Sequence, residues 1–101
     1  MNKEYDGGPL ALWEVETRYN SMSRMINEGS YDAASALAQA AVFELDALKI
    51  ITKDPDEAVW LGSLVESFDK LQRALEKGKP DKIKKVTDSI DELLENNPCL
   101  D

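Results

Sequence analysis

The chain contains no histidine, and this absence narrows the chemistry open to it. Histidine is the usual general base near neutral pH, the usual partner of a serine or cysteine nucleophile, and the commonest transition-metal ligand. Glutamate and lysine remain available for acid–base work, but the missing imidazole argues against a hydrolytic enzyme. We expect a non-enzymatic protein with no catalytic residue, no bound metal and no cofactor.

Cysteine is almost as scarce. Cys99 is the single cysteine, so no disulfide can form within the chain, which is typical of cytoplasmic proteins. Residues 1–9 have no apolar run of the kind found in signal peptides, and no segment is long and apolar enough to cross a membrane. The expectation is a cytoplasmic protein with no membrane partner.

The composition is that of one small folded domain. The chain has 101 residues, of which 43% are hydrophobic and 32% charged, enough for a single core. Acidic residues outnumber basic ones by 20 to 12, and the net charge is −8. This balance favours solubility and opposes binding to nucleic acid or to anionic membranes.

Residues 31–52 form the most apolar stretch. At about 100° per residue, its apolar side chains cover an arc of roughly 240°, far wider than a surface helix needs. The pattern predicts a central helix that touches at least two neighbours and is enclosed around most of its circumference. The arc comprises Ala33, Ala34, Ala36, Leu37, Ala38, Ala40, Ala41, Phe43, Leu45, Ala47, Leu48, Ile50 and Ile51.

Three further helices surround it. Helix one runs from Pro9 to about Glu28, and helix three from Pro55 to about Lys77. Helix four begins at Pro80 and is closed by Asn96, Asn97 and Pro98. The connections are short, so consecutive helices are antiparallel. The fold class is therefore all-α: a four-helix antiparallel bundle built from two helical hairpins around helix 31–52. Residues 1–8 are predicted to be disordered, 9–97 to form the domain, and 98–101 to be a tail.

Local turn signals fix the helix ends. Gly29 and Gly78 each end a helix, because glycine accepts the left-handed conformation common at helix C-termini. Ser30 is predicted to cap helix two through its hydroxyl, and Asp54 to cap helix three ahead of Pro55. Helices one, three and four each have one apolar face that should enter the core. In helix one it consists of Leu12, Val15, Tyr19, Met22 and Ile26, and in helix four of Ile83, Val86, Ile90, Leu93 and Leu94. In helix three it consists of Trp60, Leu61, Leu64, Phe68, Leu71, Ala74 and Leu75.

The two halves of the chain align when Gly29 is placed on Gly78, so that Tyr19 matches Phe68 and Leu37 matches Val86. Helical periodicity alone produces such matches, and a true repeated hairpin is the alternative. The segment 28–34, Glu-Gly-Ser-Tyr-Asp-Ala-Ala, resembles the inter-helix turn of tetratricopeptide repeats. The two glycines are 49 residues apart, whereas that repeat needs ~34, so the resemblance concerns hairpin construction only.

Glu44 stands out because it lies within the apolar arc of helix two. A buried carboxylate is costly unless it is paired or bound to a cation. Arg18 on helix one lies near the same level, and the favoured interpretation is a Glu44–Arg18 pair or a hydrogen bond to Glu44 from Tyr19, Ser63 or a tryptophan indole. The alternative is a carboxylate site for Mg²⁺ formed by Glu44 with Glu14 or Glu16, which would make the protein a phosphate-handling enzyme.

Lysines and one tryptophan supply the remaining candidates. Residues 70–85 hold seven basic residues and two acidic ones, and this stretch is either a solvated turn or a surface that receives a phosphate or an acidic partner. The candidate residues are Lys77, Lys79, Lys82, Lys84 and Lys85. Trp13 lies off the helix-one seam, and either fills a junction with helix three or four or marks an interface.

The favoured function is therefore a non-enzymatic helical interaction module that binds a protein partner or another copy of itself. The Mg²⁺-dependent enzyme is the runner-up. A third hypothesis is an acidic decoy that competes with nucleic acid for a basic protein.

Overall fold

The computed structural model describes residues 8–96, with side chains from Trp13 onward. Four helices account for most of this range: α1 (Gly8–Asn27), α2 (Tyr31–Ile51), α3 (Pro55–Lys77) and α4 (Pro80–Glu95). Residues 8–96 contain no strand. The predicted all-α, four-helix architecture is confirmed. Gly8 already belongs to α1, while the rest of the predicted disordered segment and the predicted tail at 98–101 lie outside the described residues.

Two glycines end helices as predicted. Gly29 follows α1 with φ +82°, and Gly78 follows α3 with φ +64°. Both angles lie in the left-handed region, which carries a steric cost for residues with a Cβ atom. The Gly78 N–H donates to the carbonyl oxygens of Ala74 and Leu75, so it satisfies acceptors that the end of a helix otherwise leaves open. The two hairpins are thus closed by turns of the same kind.

The two predicted N-caps have different outcomes. Asp54 caps α3, because its Oδ1 atom accepts a hydrogen bond of 2.9 Å from the Asp56 N–H. The prediction for Ser30 is wrong: it precedes α2 but its side chain makes no capping hydrogen bond. Its ψ angle of 67° places it outside the extended conformation of an ordinary N-cap. The Ser30 carbonyl still accepts from the Ala34 N–H at 3.1 Å.

The helices pack in chain order. α2 lies between α1 and α3, and α3 also packs against α4. The largest fully buried side chains come from all four helices: Phe68, Met22, Leu45, Leu61, Leu64, Leu71, Ile90 and Val15. All seven residues of the predicted inner face of α3 are buried. Leu12, from the predicted seam of α1, is not among the described side chains.

The polar groups of two side chains, Trp60 and Tyr19, connect α4 to the rest of the bundle. The Trp60 indole N–H donates to the Leu93 carbonyl at 2.7 Å, which joins the beginning of α3 to the end of α4. The Tyr19 hydroxyl lies 2.8 Å from Asp91 Oδ1 and 3.0 Å from the Thr87 carbonyl oxygen, which joins α1 to α4. Because α1 meets α4 through these contacts, the four helices close into a bundle.

The prediction that α2 is enclosed around most of its circumference is wrong. Only Ala34, Ala38, Ala41, Leu45 and Leu48 of the predicted arc are buried. In contrast, Phe43 is 76% exposed and Ile50 is 83% exposed. In a bundle packed in chain order, α2 has two neighbouring helices, and two neighbours cannot cover an apolar arc of ~240°. α2 therefore has one apolar face in the core and another in solvent.

Candidate functional site

The exposed apolar face of α2 is the most distinctive surface of the described chain. We call it the α2 outer stripe, and it comprises Ala33, Ala36, Ala40, Phe43, Ala47 and Ile50. Ala40 is half-buried and the other five are exposed. The helical rotation of 100° per residue places the stripe on the opposite side of α2 from Ala38 and Leu45 in the core. The two apolar faces of α2 thus look in opposite directions.

The stripe has the spacing of a helix–helix contact. Its residues recur at intervals of three and four along α2, which is the spacing that holds one seam against a second helix over several turns. Four of the six residues are alanine, so a partner helix can approach the backbone closely. Phe43 and Ile50 project between them. Ile51 borders the stripe and is also exposed.

The predicted pair between Arg18 and Glu44 is confirmed. Arg18 Nη1 and Glu44 Oε1 are in direct contact and join α1 to α2. The side chains are 28% and 36% exposed, so Glu44 is half-buried rather than enclosed. The hydrogen bond that Arg18 donates to the Glu44 carboxylate raises the pKa of Arg18 further above its already high value, although partial desolvation opposes this. Glu44 therefore serves to hold α1 and α2 together at the border of the stripe.

The Trp13 side chain is exposed to solvent and lines the same groove as Arg18. It is 62% exposed, so it does not fill a junction with α3 or α4. It lines a shallow groove of about 460 Å³ between α1 and α2, together with Arg18, Met25 and Leu37 among others. Leu37 and Glu44 lie on the α2 flank that borders the outer stripe, so the groove and the stripe form one continuous surface.

A second groove lies between α3 and α4 near the Gly78 turn. It has a volume of about 320 Å³. Its basic residues come from both helices, and Ala74 and Val86 supply apolar lining. The basic residues are Lys70, Arg73, Lys77, Lys82 and Lys85, and no acidic residue belongs to the described lining. We call this surface the α3–α4 basic groove.

The predicted basic cluster is therefore only partly brought together. Lys77, Lys82 and Lys85 line the groove, whereas Lys79 and Lys84 do not belong to its described lining. Lys84 instead donates to Asp88 at 3.2 Å along α4. Lys70 and Arg73 complete the groove and were not among the predicted site residues. Lys70, Arg73 and Lys77 follow one another at intervals of three and then four residues along α3, and this spacing is the signal that places all three on one helix face.

The carboxylates of the proposed Mg²⁺ site are not gathered together. Glu14 lines the groove beside Trp13, while Glu16 lines another groove beside Tyr19 and Asp91. Glu44 is paired with Arg18. Within the part of the chain that the structure describes, no group of three or more acidic or cysteine side chains is placed to hold a metal ion. The Mg²⁺ hypothesis therefore has no ligand cluster to support it there.

Comparisons with known proteins identify no relative. No family model matches the chain, and no curated protein or solved structure is similar to it at a significant level. Across residues 8–96, none of the four helices combines the length and the apolar character that a membrane crossing requires.

Proposed function

We propose that this protein is a non-enzymatic helical interaction module that associates with a protein partner or with another copy of itself. The α2 outer stripe is the observation that carries the proposal. Residues of the kind that fill protein cores recur along five turns of one helix, yet they face solvent. Contiguous apolar surface is uncommon on monomeric proteins and is typical of interaction sites.

The energetic argument starts from Phe43 and Ile50. Burial of apolar surface contributes roughly 25 cal/mol per Å², so covering a fully exposed side chain of this size stabilises a complex by about 1.5–3 kcal/mol. The surrounding alanines add contact area at no cost in side-chain entropy. Trp13 extends the same surface across the α1–α2 groove, and tryptophan is one of the residues most enriched in binding hot spots.

A cytoplasmic location belongs to this proposal. Its support is the cysteine count: Cys99 is the single cysteine, so stability cannot come from a disulfide within the chain.

Sedimentation velocity over a wide concentration range, together with capture of partners from a lysate, tests the proposal. Ile50→Ser should abolish or weaken the association. Val59→Ser is the matched control, because Val59 is also an exposed branched residue, 72% exposed on α3, but lies outside the stripe. Equal loss in both variants would contradict the stripe as the binding surface. A chain that stays monomeric and captures nothing would contradict the proposed function itself.

The α3–α4 basic groove supports a second candidate function, the binding of an acidic segment of a protein partner. Five cationic side chains surround it, and no carboxylate belongs to its described lining. Arg73 pairs with Asp69 along α3, so the four lysines carry most of the attraction. A concave site lined by positive charges produces a positive electrostatic potential that attracts a negatively charged partner before contact is made. The interaction should weaken as salt is added, because exposed charges are screened.

Titration with a polyglutamate peptide, followed by NMR chemical shifts, tests this candidate. Paired Lys77→Gln and Lys82→Gln substitutions should weaken binding strongly. Lys84→Gln is the control, since Lys84 is also on α4 but pairs with Asp88. If Lys84→Gln weakens binding as much as the groove variant, net charge rather than the groove is responsible. Inorganic phosphate in place of the peptide tests for a small-anion site at the same lysines.

A further inference from the structure

We infer that the α2 outer stripe binds the same stripe of a second copy of this chain, with the two α2 helices antiparallel. This inference rests on the proposed function, because it names the partner of the same surface. Small and large residues follow one another along the stripe in an order that is complementary to itself, and so do the charges beside it.

Side-chain size is self-complementary in the antiparallel arrangement. A two-fold axis that passes between Ala41 and Val42 sets each stripe residue opposite one residue of the partner. Phe43 then lies opposite the partner's Ala40, and Ile50 lies opposite the partner's Ala33. Ala47 lies opposite the partner's Ala36. Each large side chain meets a small one, so the helix axes can keep one close separation along the whole contact.

The parallel arrangement has no such match. Two parallel helices in register would set Phe43 against the partner's Phe43 and Ile50 against the partner's Ile50. At the other end, Ala33 and Ala36 would face only alanines. Large pairs hold helices apart while alanine pairs need a closer approach, so the alanine end would be left with voids. Each void loses packing energy.

The charged residues beside the stripe favour the same arrangement. Asp32 lies in the first turn of α2 and Lys53 lies just beyond its C-terminal end, and both are exposed. The antiparallel arrangement brings Lys53 beside the partner's Asp32, and the two-fold axis makes this contact twice. On the same flank, Gln39 comes beside the partner's Asp46. An interface between copies needs each surface to be complementary to itself, and these residues satisfy that condition.

The interface is narrow. The stripe spans 17 residue steps from Ala33 to Ile50, or ~26 Å at 1.5 Å per residue. One helix face per copy is small beside a standard protein interface, so association is expected at micromolar rather than nanomolar concentration. The experiment must therefore be run at high protein concentration.

Cysteine cross-linking distinguishes the two orientations. In a Cys99→Ser background, Ala36→Cys and Ala47→Cys are made in separate chains, one of them carrying a tag so that the products differ in size. Both positions are exposed alanines, so the fold should tolerate the changes. In the antiparallel dimer position 36 faces the partner's position 47. Oxidation of the mixture should give the mixed disulfide dimer, and oxidation of either variant alone should give much less.

The outcomes separate this inference from the proposed function. Efficient cross-linking of each variant with itself would mean a parallel dimer, which overturns the inference and leaves self-association standing. A dimer by sedimentation that never cross-links would place the contact on another surface and also overturn it. A monomer that captures a different protein through the stripe overturns the inference alone.

A charge exchange provides a second test that does not depend on cysteine chemistry. Asp32→Lys alone and Lys53→Asp alone each set like charges against one another, and each should raise the dissociation constant several-fold. The double variant restores opposite charges and should recover most of the lost affinity. Failure of the double variant to recover, with both single variants weakened, would overturn the antiparallel register.

Discussion

Tyr19 of α1 meets Phe68 of α3 edge to face, with ring centroids 5.8 Å apart and an interplanar angle of 83°. These two residues occupy equivalent positions when the two hairpins are aligned on their glycine turns. The contact therefore lies where the two hairpins face each other across the core. Edge-to-face aromatic pairs contribute about 0.5–1.5 kcal/mol beyond the area they bury. The same tyrosine uses its hydroxyl to reach α4, so one side chain connects three helices.

The Tyr19 hydroxyl gives the first prediction, which concerns pH. Burial, followed by the Asp91 carboxylate, raises the pKa of Tyr19 well above its usual range. An unfolded tyrosine ionises near pH 10, so this contribution to stability is full below about pH 10 and is lost as the pH rises towards the folded-state pKa. Tyr19→Phe should cost about 1–2 kcal/mol at neutral pH, and the cost should shrink above pH 10.

Urea unfolding of the unsubstituted protein and of Tyr19→Phe, at neutral pH and at pH 11, measures how the cost of the substitution changes with pH. Tyr31→Phe on α2 is the control for loss of a tyrosine hydroxyl elsewhere. A cost for Tyr19→Phe that stays constant across the pH range would contradict the proposed role of burial and Asp91.

The second prediction compares two glycines. Gly78→Ala should destabilise the protein by about 1 kcal/mol, because φ at this position is +64° and a Cβ atom is disfavoured there. Gly62→Ala should instead stabilise it by up to about 1 kcal/mol, because Gly62 lies inside α3 where alanine is the better helix former. A Cβ at position 62 would meet Lys49 Nζ at 3.5 Å, an ordinary contact distance.

Thermal and urea unfolding of the two variants provide the measurement. Opposite signs are the expected result. The same sign for both would show that backbone conformation is not what distinguishes these positions.

The third prediction concerns the Arg18–Glu44 pair. Both side chains are partly exposed, so solvent screens the attraction, and a double-mutant cycle with Arg18→Gln and Glu44→Gln should give a coupling of about 0.5–1 kcal/mol. The coupling should decrease in high salt. The Asp69–Arg73 pair on α3, with contact at 3.0 Å and higher exposure, serves as the comparison and should couple more weakly. No coupling between Arg18 and Glu44 would mean that the contact does not stabilise the hairpin.

The fourth prediction uses the two tryptophans as reporters. Trp13 is 62% exposed and Trp60 is buried. Acrylamide should quench the fluorescence of the Trp60→Phe variant, which retains Trp13, far more efficiently than that of the Trp13→Phe variant. Protection of Trp13 that increases with protein concentration would indicate that the α1–α2 groove belongs to the interface. Equal quenching in dilute solution would contradict the observed burial of Trp60.

Much of the fold follows from local rules. Gly29, Gly78 and the Asp54-Pro55 start signal set the helix ends, because a helix end depends on a few neighbouring residues. The inner face of α3 follows from periodicity alone, since α3 has a single apolar face. The Arg18–Glu44 pair follows from the hairpin, because a short turn limits which levels of two helices can meet.

The remaining features depended on contacts between residues distant in the chain. Periodicity shows that α2 is apolar on two sides, but how many helices cover it depends on the arrangement of the whole bundle. The heptad spacing of the stripe was present in the sequence, merged with the core seam into one wide arc. The basic groove likewise needs α3 and α4 to lie side by side before Lys70 and Arg73 join Lys82 and Lys85.

The sequence by itself determined most of the helix ends, because a helix end depends on hydrogen bonds and backbone angles within one turn. Tertiary structure alone decided which apolar face of α2 enters the core and which remains in solvent. The hydrophobic effect is non-directional, so burial of either apolar face of α2 would be favourable. Which face is buried therefore depends on how all four helices pack together.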